Sequence, residues 1–360
     1  MKKRNSAIAF ALVGCGRIAK KHSDLLGNNQ IKGAKLGAVC DVVKQRAREL
    51  GKKFKVPYYT DMDEMMQKEG DKINAVSVLT PSGLHAKNVI ALAKYKKHIL
   101  VEKPMALTLD SADAMIEACD ENRIKLFVVK QNRFNVPVQK LKKALDRGRF
   151  GKLVLGTVRV RWTRDQAYYD QDDWRGTWAF DGGVFANQAI HHVDLLRWMM
   201  GEVESVFAKS ITALVDIETE DTGVAVLKFK NGALGVIEAT NATRPKDLEG
   251  SISILGGKGT VEIGGFAVNE MKVWNFSEEK KSDKDVLTKY SVNPPNVYGF
   301  GHKAYYQHVV DCIVNNKKAL VDGLEGKKTL ELVLAIYESI ETEREVFLRF
   351  RPKKCRLGQI

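Results

Sequence analysis

Seven apolar residues, Ala7 to Val13, run directly into Gly14-Cys15-Gly16-Arg17-Ile18-Ala19. A continuous apolar run of this length reads as a strand buried on both faces. The residues after it have separate tasks. Gly14 permits a tight turn, Gly16 lets backbone approach a pyrophosphate, and the small Ala19 lets the next helix pack close to the strand. That helix, opening at Arg17 and Ile18, offers free N–H groups and the positive end of its dipole to phosphate. A second strand, Leu36 to Cys40, ends at Asp41, about 20 residues beyond the fingerprint, where a carboxylate accepts hydrogen bonds from ribose hydroxyls. A carboxylate there repels a 2′-phosphate, so NAD is expected over NADP, although Lys44 and Arg46 stand close by.

The alternation of strand and helix continues. A helix is expected over Val42 to Phe54, a strand over Ala75 to Leu79, and a helix over Leu84 to Lys96. His98 to Val101 is a strand, Asp110 to Asn122 a helix, and Leu126 to Lys130 a further strand. This spacing predicts a doubly wound parallel sheet, an α/β domain over residues 1–130. Ligands of such sheets lie at the carboxyl ends of strands. Gly14, Asp41, Thr80, Glu102, Lys103 and the run Gln131-Asn132-Arg133 all fall at such ends. Pro104 stiffens the turn after Lys103. A lysine beside a bound cation and partly desolvated suits proton-transfer chemistry.

From residue 131 the pattern changes to a second, α+β domain, expected to reach residue 345. In Leu153 to Trp162, the residues Val154, Val158, Val160 and Trp162 share one strand face, and Thr157, Arg159 and Arg161 the other. A polar, aromatic loop with Tyr168, Asp172, Trp174, Arg175 and Trp178 follows. The stretch Gly182 to Asp194 then reads as helical, with Asn187 and His191 one turn apart on one face and Gly201 as the stop. Hairpin signals come next. Thr222–Phe229 and Ala233–Thr240 flank Asn231-Gly232, and Ser251–Leu255 and Thr260–Ile263 flank a glycine-rich turn. A mostly antiparallel sheet is expected, one face on helices and the other open to a second subunit. Two helices, Lys303–Asn316 and Gly326 to Arg344, close the domain, and residues 346–360 are expected to form a solvated basic tail.

The net charge of +14 raises nucleic acid as a partner. The lysines and arginines are spread along the chain rather than clustered, which favours general solubility or an anionic small ligand. No apolar run is long enough to span a bilayer, and the Met-Lys-Lys-Arg start lacks the apolar segment of a secretory signal. The five cysteines are scattered without metal-ligand spacing, so reduced thiols in the cytoplasm, and no metal, are expected.

With the fingerprint, Glu102-Lys103-Pro104 and the Gly182-Gly183 to His191 to Asp194 stretch in this order, the chain resembles the Gfo/Idh/MocA family over nearly its whole length. The resemblance implies a sugar or polyol dehydrogenase in which Lys103 and His191 serve the reacting hydroxyl. It also puts the loop Thr80-Pro81, His85, Glu102, Lys103 and Gln131 against the cofactor. Where the family commonly carries Asp, this chain has Asn187, which can position a hydroxyl but cannot accept a proton. That departure, with Gln131 to Asn135 and Tyr298-Gly299-Phe300-Gly301-His302, is similar to the subgroup that oxidises the C3 hydroxyl of UDP-N-acetylglucosaminuronate in bacterial O-antigen and lipopolysaccharide assembly.

The mechanism this implies has His191 as base, Lys103 stabilising the developing alkoxide, and Asn187 positioning a sugar hydroxyl, with the reverse assignment of base open. Arg133, Arg161 and Arg175 are candidates for the carboxylate and diphosphate of the UDP-sugar. Tyr298 and Phe300 could stack on uracil, and His302 could line the substrate pocket. His192 is expected to pack away from the site, and Asp194 to hold the helix or orient His191. The subgroup also implies a 2-oxo acid as an optional acceptor for the bound hydride, and the open sheet a dimer or tetramer. The rival readings are another sugar or inositol dehydrogenase of the family, and a non-catalytic NAD-binding sensor.

Overall fold

Strand β1 (Ile8–Val13) is buried along its full length, as a central parallel strand must be. After it come α1 (Arg17–Gly27), β2 (Ala34–Cys40), α2 (Lys44–Phe54), β3 (Tyr58–Tyr59), α3 (Met62–Glu69), β4 (Ala75–Val78), α4 (His85–Ala93), β5 (His98–Val101), α5 (Leu109–Glu121) and β6 (Leu126–Val128). The strands form one parallel sheet in the order β3-β2-β1-β4-β5-β6. The order reverses between β1 and β4, which is where such sheets bind ligands. The computed structural model describes residues 7–292, 294, 299–348 and 355–358.

The second sheet is built from longer strands. The elements are α6 (Val136–Asp146), β7 (Leu153–Arg161), α7 (Gln166–Tyr169), α8 (Ile190–Met200), β8 (Val203–Ile211), β9 (Thr222–Phe229), β10 (Leu234–Thr240), β11 (Glu249–Gly256), β12 (Gly259–Gly264), β13 (Glu270–Phe276), α9 (Val286–Lys289), α10 (Gly301–Val314), α11 (Gly323–Thr342) and β14 (Val346–Phe347). Eight strands run β13-β12-β11-β7-β10-β9-β8-β14, all antiparallel except the β7–β10 pair. Both expected hairpins form, β9 with β10 and β11 with β12. One face is apolar and covered: Val158, Val160, Ile237, Ala239, Ile252 and Ile254 are fully buried, and Leu196 and Met200 of α8 lie over Gly156. The protein thus has the expected architecture, a parallel Rossmann sheet and a mostly antiparallel second sheet.

The chain divides into two compact units, but not at one point. Unit 1 is Met1–Val129 with His302–Lys327; unit 2 is Lys130–Gly301 with Lys328–Ile360. Most of α10 therefore belongs to the first unit, not the second as its place in the sequence suggests. The reason is packing: the Tyr306 ring stands edge-on to Phe10 of β1 at 5.3 Å and to His22 of α1 at 5.4 Å. The C-terminal stretch also differs from the solvated tail expected. In the part described, Leu357 is buried, and Arg356 pairs with Glu341 at 2.7 Å and lies over the Trp178 ring. None of the described helices is long and apolar enough to cross a membrane.

Candidate functional site

The fingerprint turn of the first unit has the shape a pyrophosphate requires. Gly14 has φ +97, and a Cβ there would stand 2.6 Å from the Leu79 carbonyl oxygen at the end of β4. A Cβ on Gly16 would meet no described atom within 4 Å, so the backbone is open to a ligand at that point. No side chain caps α1, which leaves its first N–H groups to an anion. Arg17 is exposed and Ile18 half-buried at that helix start. Asp41 is fixed at the end of β2: its carboxylate accepts from Cys15 N at 2.7 Å and Val43 N at 2.8 Å. A dinucleotide fits these residues, with its phosphates at Gly14 to Ile18 and its adenosine ribose at Asp41.

Lys103, at the end of β5, is half-buried. Residues around it also support its turn. Glu102 is buried and accepts from Lys103 N at 3.1 Å, while its other oxygen meets His22 Nε2 at 3.0 Å. Burial pushes the Glu102 carboxyl up, but the hydrogen bond and charge of His22, with His302 and Lys103 beyond, hold it well below the usual carboxylate range. His22 Nδ1 meets Tyr306 Oη at 2.6 Å, and Tyr306 Oη lies 3.1 Å from Ser77 Oγ. His302 is a buried member of this cluster, its ring 5.5 Å from that of His22. His22, Glu102 and His302 bring ligand-type atoms within 4.8 Å of one another, but both His22 nitrogens already face other partners, so the set is a hydrogen-bond network. His85 is 1% exposed, its Nδ1 2.7 Å from the Pro104 carbonyl oxygen and its Nε2 2.9 Å from that of Thr80. Thr80 and Pro81 themselves are half-buried.

In the second unit His191 lies in the first turn of α8, 8% exposed. Its Nε2 is 3.0 Å from the side-chain amide nitrogen of Gln131, which opens the 3₁₀ turn Gln131–Phe134. Gln131 is thus a partner of the histidine. Arg133 is not available to a substrate. It is fully buried and donates Nε to Asp194 Oδ2 and Nη2 to Asp194 Oδ1, both at 2.7 Å. Thr329 Oγ1 donates to the same carboxylate at 2.7 Å. Burial pushes the Asp194 carboxyl up, and the positive charges of Arg133, Lys130 and Arg197 more than reverse this and hold it well below its ordinary value. Asp194 therefore holds the helix. His192 turns away, fully buried against Trp162, and burial pushes its pKa down to about 4.

The approach to α8 is not helical throughout. Residues 184–189 form turns, closed by Asn187 N to Gly183 O at 3.0 Å and Ala189 N to Val184 O at 2.8 Å. The second bond spans five residues and breaks the helical phase, so Asn187 and His191 do not share a regular helix face. Asn187 is half-buried and donates Nδ2 to Asp181, whose other oxygen accepts from Gly176 N at 3.0 Å. Arg175 lies in the same loop, on the rings of Tyr168 and Trp174, and donates to Asp172 at 3.1 Å and to Tyr168 Oη at 2.9 Å. Phe300 is 49% exposed, and Tyr298 lies outside the described residues.

Arg161 corrects a further expectation. It is on the sheet face opposite α8 and donates to Glu238 at 2.6 and 2.8 Å, with Glu249 at 3.4 Å. Strand alternation puts it there, because Val158 and Val160 take the helix side. Sequence reasoning also missed Asp181 and Glu220. Glu220 is buried beneath the loop, accepting from Phe185 N at 3.1 Å and from Tyr337 Oη at 2.9 Å. Burial raises its carboxyl to about 7. Neither acid sits in a recognisable motif, and each is joined to its partners only by the fold.

Comparison with known proteins agrees with this geometry. Residues 8–130 match the oxidoreductase family of NAD-binding Rossmann folds, and residues 142–348 match the C-terminal alpha/beta domain of the same family. The WlbA dehydrogenase of Chromobacterium violaceum, solved with NADH and UDP-GlcNAcA, is 42% identical, with a TM-score of 0.89 over 95% of this chain and 96% of that one. WlbA of Bordetella pertussis, with the same two ligands, is 42% identical, with a TM-score of 0.90 over 96% of this chain and 98% of that one. The myo-inositol 2-dehydrogenase of Thermotoga maritima is 33% identical over 347 residues, 94% of this chain and 98% of its own. Matches that span both halves of the chain put it in the Gfo/Idh/MocA family of oxidoreductases, as an NAD-dependent sugar or polyol dehydrogenase.

Proposed function

We propose that the protein oxidises the C3 hydroxyl of UDP-N-acetylglucosaminuronate to the 3-keto sugar, a step of nucleotide-sugar synthesis for lipopolysaccharide. The observation that carries this reading is the 42% identity, over nearly the whole chain, to two WlbA dehydrogenases solved with NADH and UDP-GlcNAcA. Asn187 supports it, since a neutral amide can hold a sugar hydroxyl without competing for its proton. When bound, NAD⁺ supplies the acceptor for the C3 hydride. His191 takes the hydroxyl proton, and the Lys103 ammonium stabilises the oxygen as negative charge develops. Among the arginines, Arg175 is the one left to meet the diphosphate or carboxylate, and Phe300 and Tyr298 are assigned to the uracil.

A second reading, oxidation of an inositol, is favoured by the curated relatives, of which the Thermotoga maritima enzyme is 33% identical. An assay of NADH formation with UDP-N-acetylglucosaminuronate, myo-inositol and glucose separates the two. Turnover is expected with the nucleotide sugar, and its loss in Lys103→Ala. Turnover on the free polyols alone would overturn the C3 assignment. Turnover on none, with NAD still bound, would favour the sensor reading.

A further inference from the structure

The 3₁₀ turn Gln131–Phe134 and helix α8 are fastened together by a buried ion pair. Arg133 and Asp194 are each 1% exposed and share two hydrogen bonds of 2.7 Å. The Arg133 guanidinium also lies over the Trp198 ring at 4.7 Å, and its carbonyl oxygen accepts from Gln139 Nε2 at 2.5 Å. Asp194 is one helical turn beyond His191, and Gln131 is two residues before Arg133. The pair therefore fixes the register between the two segments, and in that register the Gln131 amide faces His191 Nε2 at 3.0 Å. Both side chains are more than nine-tenths buried.

We propose that Gln131 is a positioning residue for His191, holding the ring in one orientation and presenting an uncharged partner to it in both of its protonation states. This rests on the reading of His191 as the base. A carboxamide carries an N–H end and a carbonyl end, and a half-turn about its last side-chain bond exchanges them. A ring that takes the hydroxyl proton at Nδ1 carries its own proton at Nε2, and donates it to the carbonyl end once the amide has made that half-turn. After the hydroxyl proton has moved to Nδ1, the imidazolium keeps the same Nε2–H bond to the carbonyl end. No bond to Gln131 is lost in either state, and no charge at that position favours one over the other. A carboxylate in the same place would favour the imidazolium and hold back its proton.

The other charged groups of this unit on these segments are already balanced. Asp194 on α8 is neutralised by Arg133, with Lys130 and Arg197 also acting on it. His192 faces Trp162 and Gly250. The amide of Gln131 is thus an uncharged polar group that this fold brings to the ring from a neighbouring segment.

The test uses the full chain with Gln131→Glu and Gln131→Leu. Imidazole resonances, assigned to His191 through His191→Asn, are titrated by NMR, and kcat/KM is measured against pH with the nucleotide sugar. In Gln131→Glu the His191 titration is expected to move to higher pH by about one unit or more. The acidic limb of kcat/KM should move with it. In Gln131→Leu the ¹⁵N resonances of His191 should report a changed tautomer balance, with kcat lowered about tenfold or more. This second variant decides the matter if the first does not fold. A His191 titration unmoved in Gln131→Glu, or unaltered ¹⁵N resonances in Gln131→Leu, would overturn the proposal. The NMR readings need no sugar, so a wrong substrate would leave them standing.

Discussion

His85 illustrates how a residue expected at the cofactor can act one step behind it. Its two ring nitrogens face the carbonyl oxygens of Pro104 and Thr80 at 2.7 and 2.9 Å. A neutral ring donates to one of these carbonyl oxygens, and only an imidazolium could donate to both. Burial lowers the pKa of the ring, and the two carbonyl bonds with Glu102 offset that shift only in part, so the neutral ring is favoured. His85 thereby ties the loop after β4 to the turn that carries Lys103. Replacing it by Ala frees both segments, and small misplacements of a reacting group are costly. We expect His85→Ala to lower kcat on the order of tenfold or more and to weaken NAD binding, with His85→Gln closer to wild type because its amide still donates an N–H bond. Steady-state kinetics and calorimetry with NAD check this; an unchanged kcat in His85→Ala would remove the role.

At the scale of elements, the turn before α8 rests on a buried acid. A Cβ on Gly183 would stand 2.1 Å from Glu220 Oε2, and Gly183 N donates to Tyr337 Oη at 3.0 Å. The close approach, not a special φ, demands glycine here. Gly183→Ala should displace the turn that carries Asn187 and lower kcat/KM, with part of the loss recovered in Gly183→Ala combined with Glu220→Ala. Glu220 also sets a pH dependence. Its folded pKa of about 7 lies above the ordinary 4.5, so between these values the folded state holds the proton more tightly than the unfolded chain. The Glu220 contribution to stability is therefore greatest below pH 4.5, falls as the pH rises to about 7, and is then flat, a change on the order of 3 kcal/mol. Thermal melts of Glu220→Gln at pH 5 and pH 8 should lack the part of this fall seen in wild type; identical curves would refute it. None of this was legible in the sequence. The fingerprint, Asp41 and the β9–β10 hairpin were, because each is a local pattern with a local cause. The helix start was misread because the bond from Ala189 N to Val184 O shifts the phase that spacing assumes. Strand β8 went unread because Ser205 and Val206 are both buried at a register shift, which breaks the alternation. Arg133 and Asp194 are 61 residues apart, and only the fold makes them partners.

For the whole molecule, the open face of the second sheet carries the strongest expectation. Its cross-strand rows differ in character. Phe207, Val226 and Val236 form one row, and Lys228, Leu234 and Leu155 another. Further along, Arg159 and Arg161 are bonded to Glu249 and Glu238. Phe207, Val224, Val226 and Leu234 are between 41% and 51% exposed, so apolar side chains are contiguous over β8, β9 and β10, beside a belt of ion pairs. A patch of this kind, rimmed by charge, is the signature of an interface. A second copy of the chain suits it, since a two-fold contact sets like strands against like and needs no separate partner. A stable contact needs roughly 800 Å² per subunit, within reach of three or four neighbouring strands. The protein should therefore run as a dimer or tetramer in size-exclusion chromatography with light scattering. Phe207→Glu with Val226→Lys exposes two charges where two apolar side chains, worth about 1.5–3 kcal/mol each, would be buried. Dissociation should then strengthen by about a hundredfold or more, with the far-UV circular dichroism and NAD affinity of the smaller species unchanged. A wild-type protein that is monomeric at micromolar concentration, or a double variant of unaltered mass, would show that this face has another use.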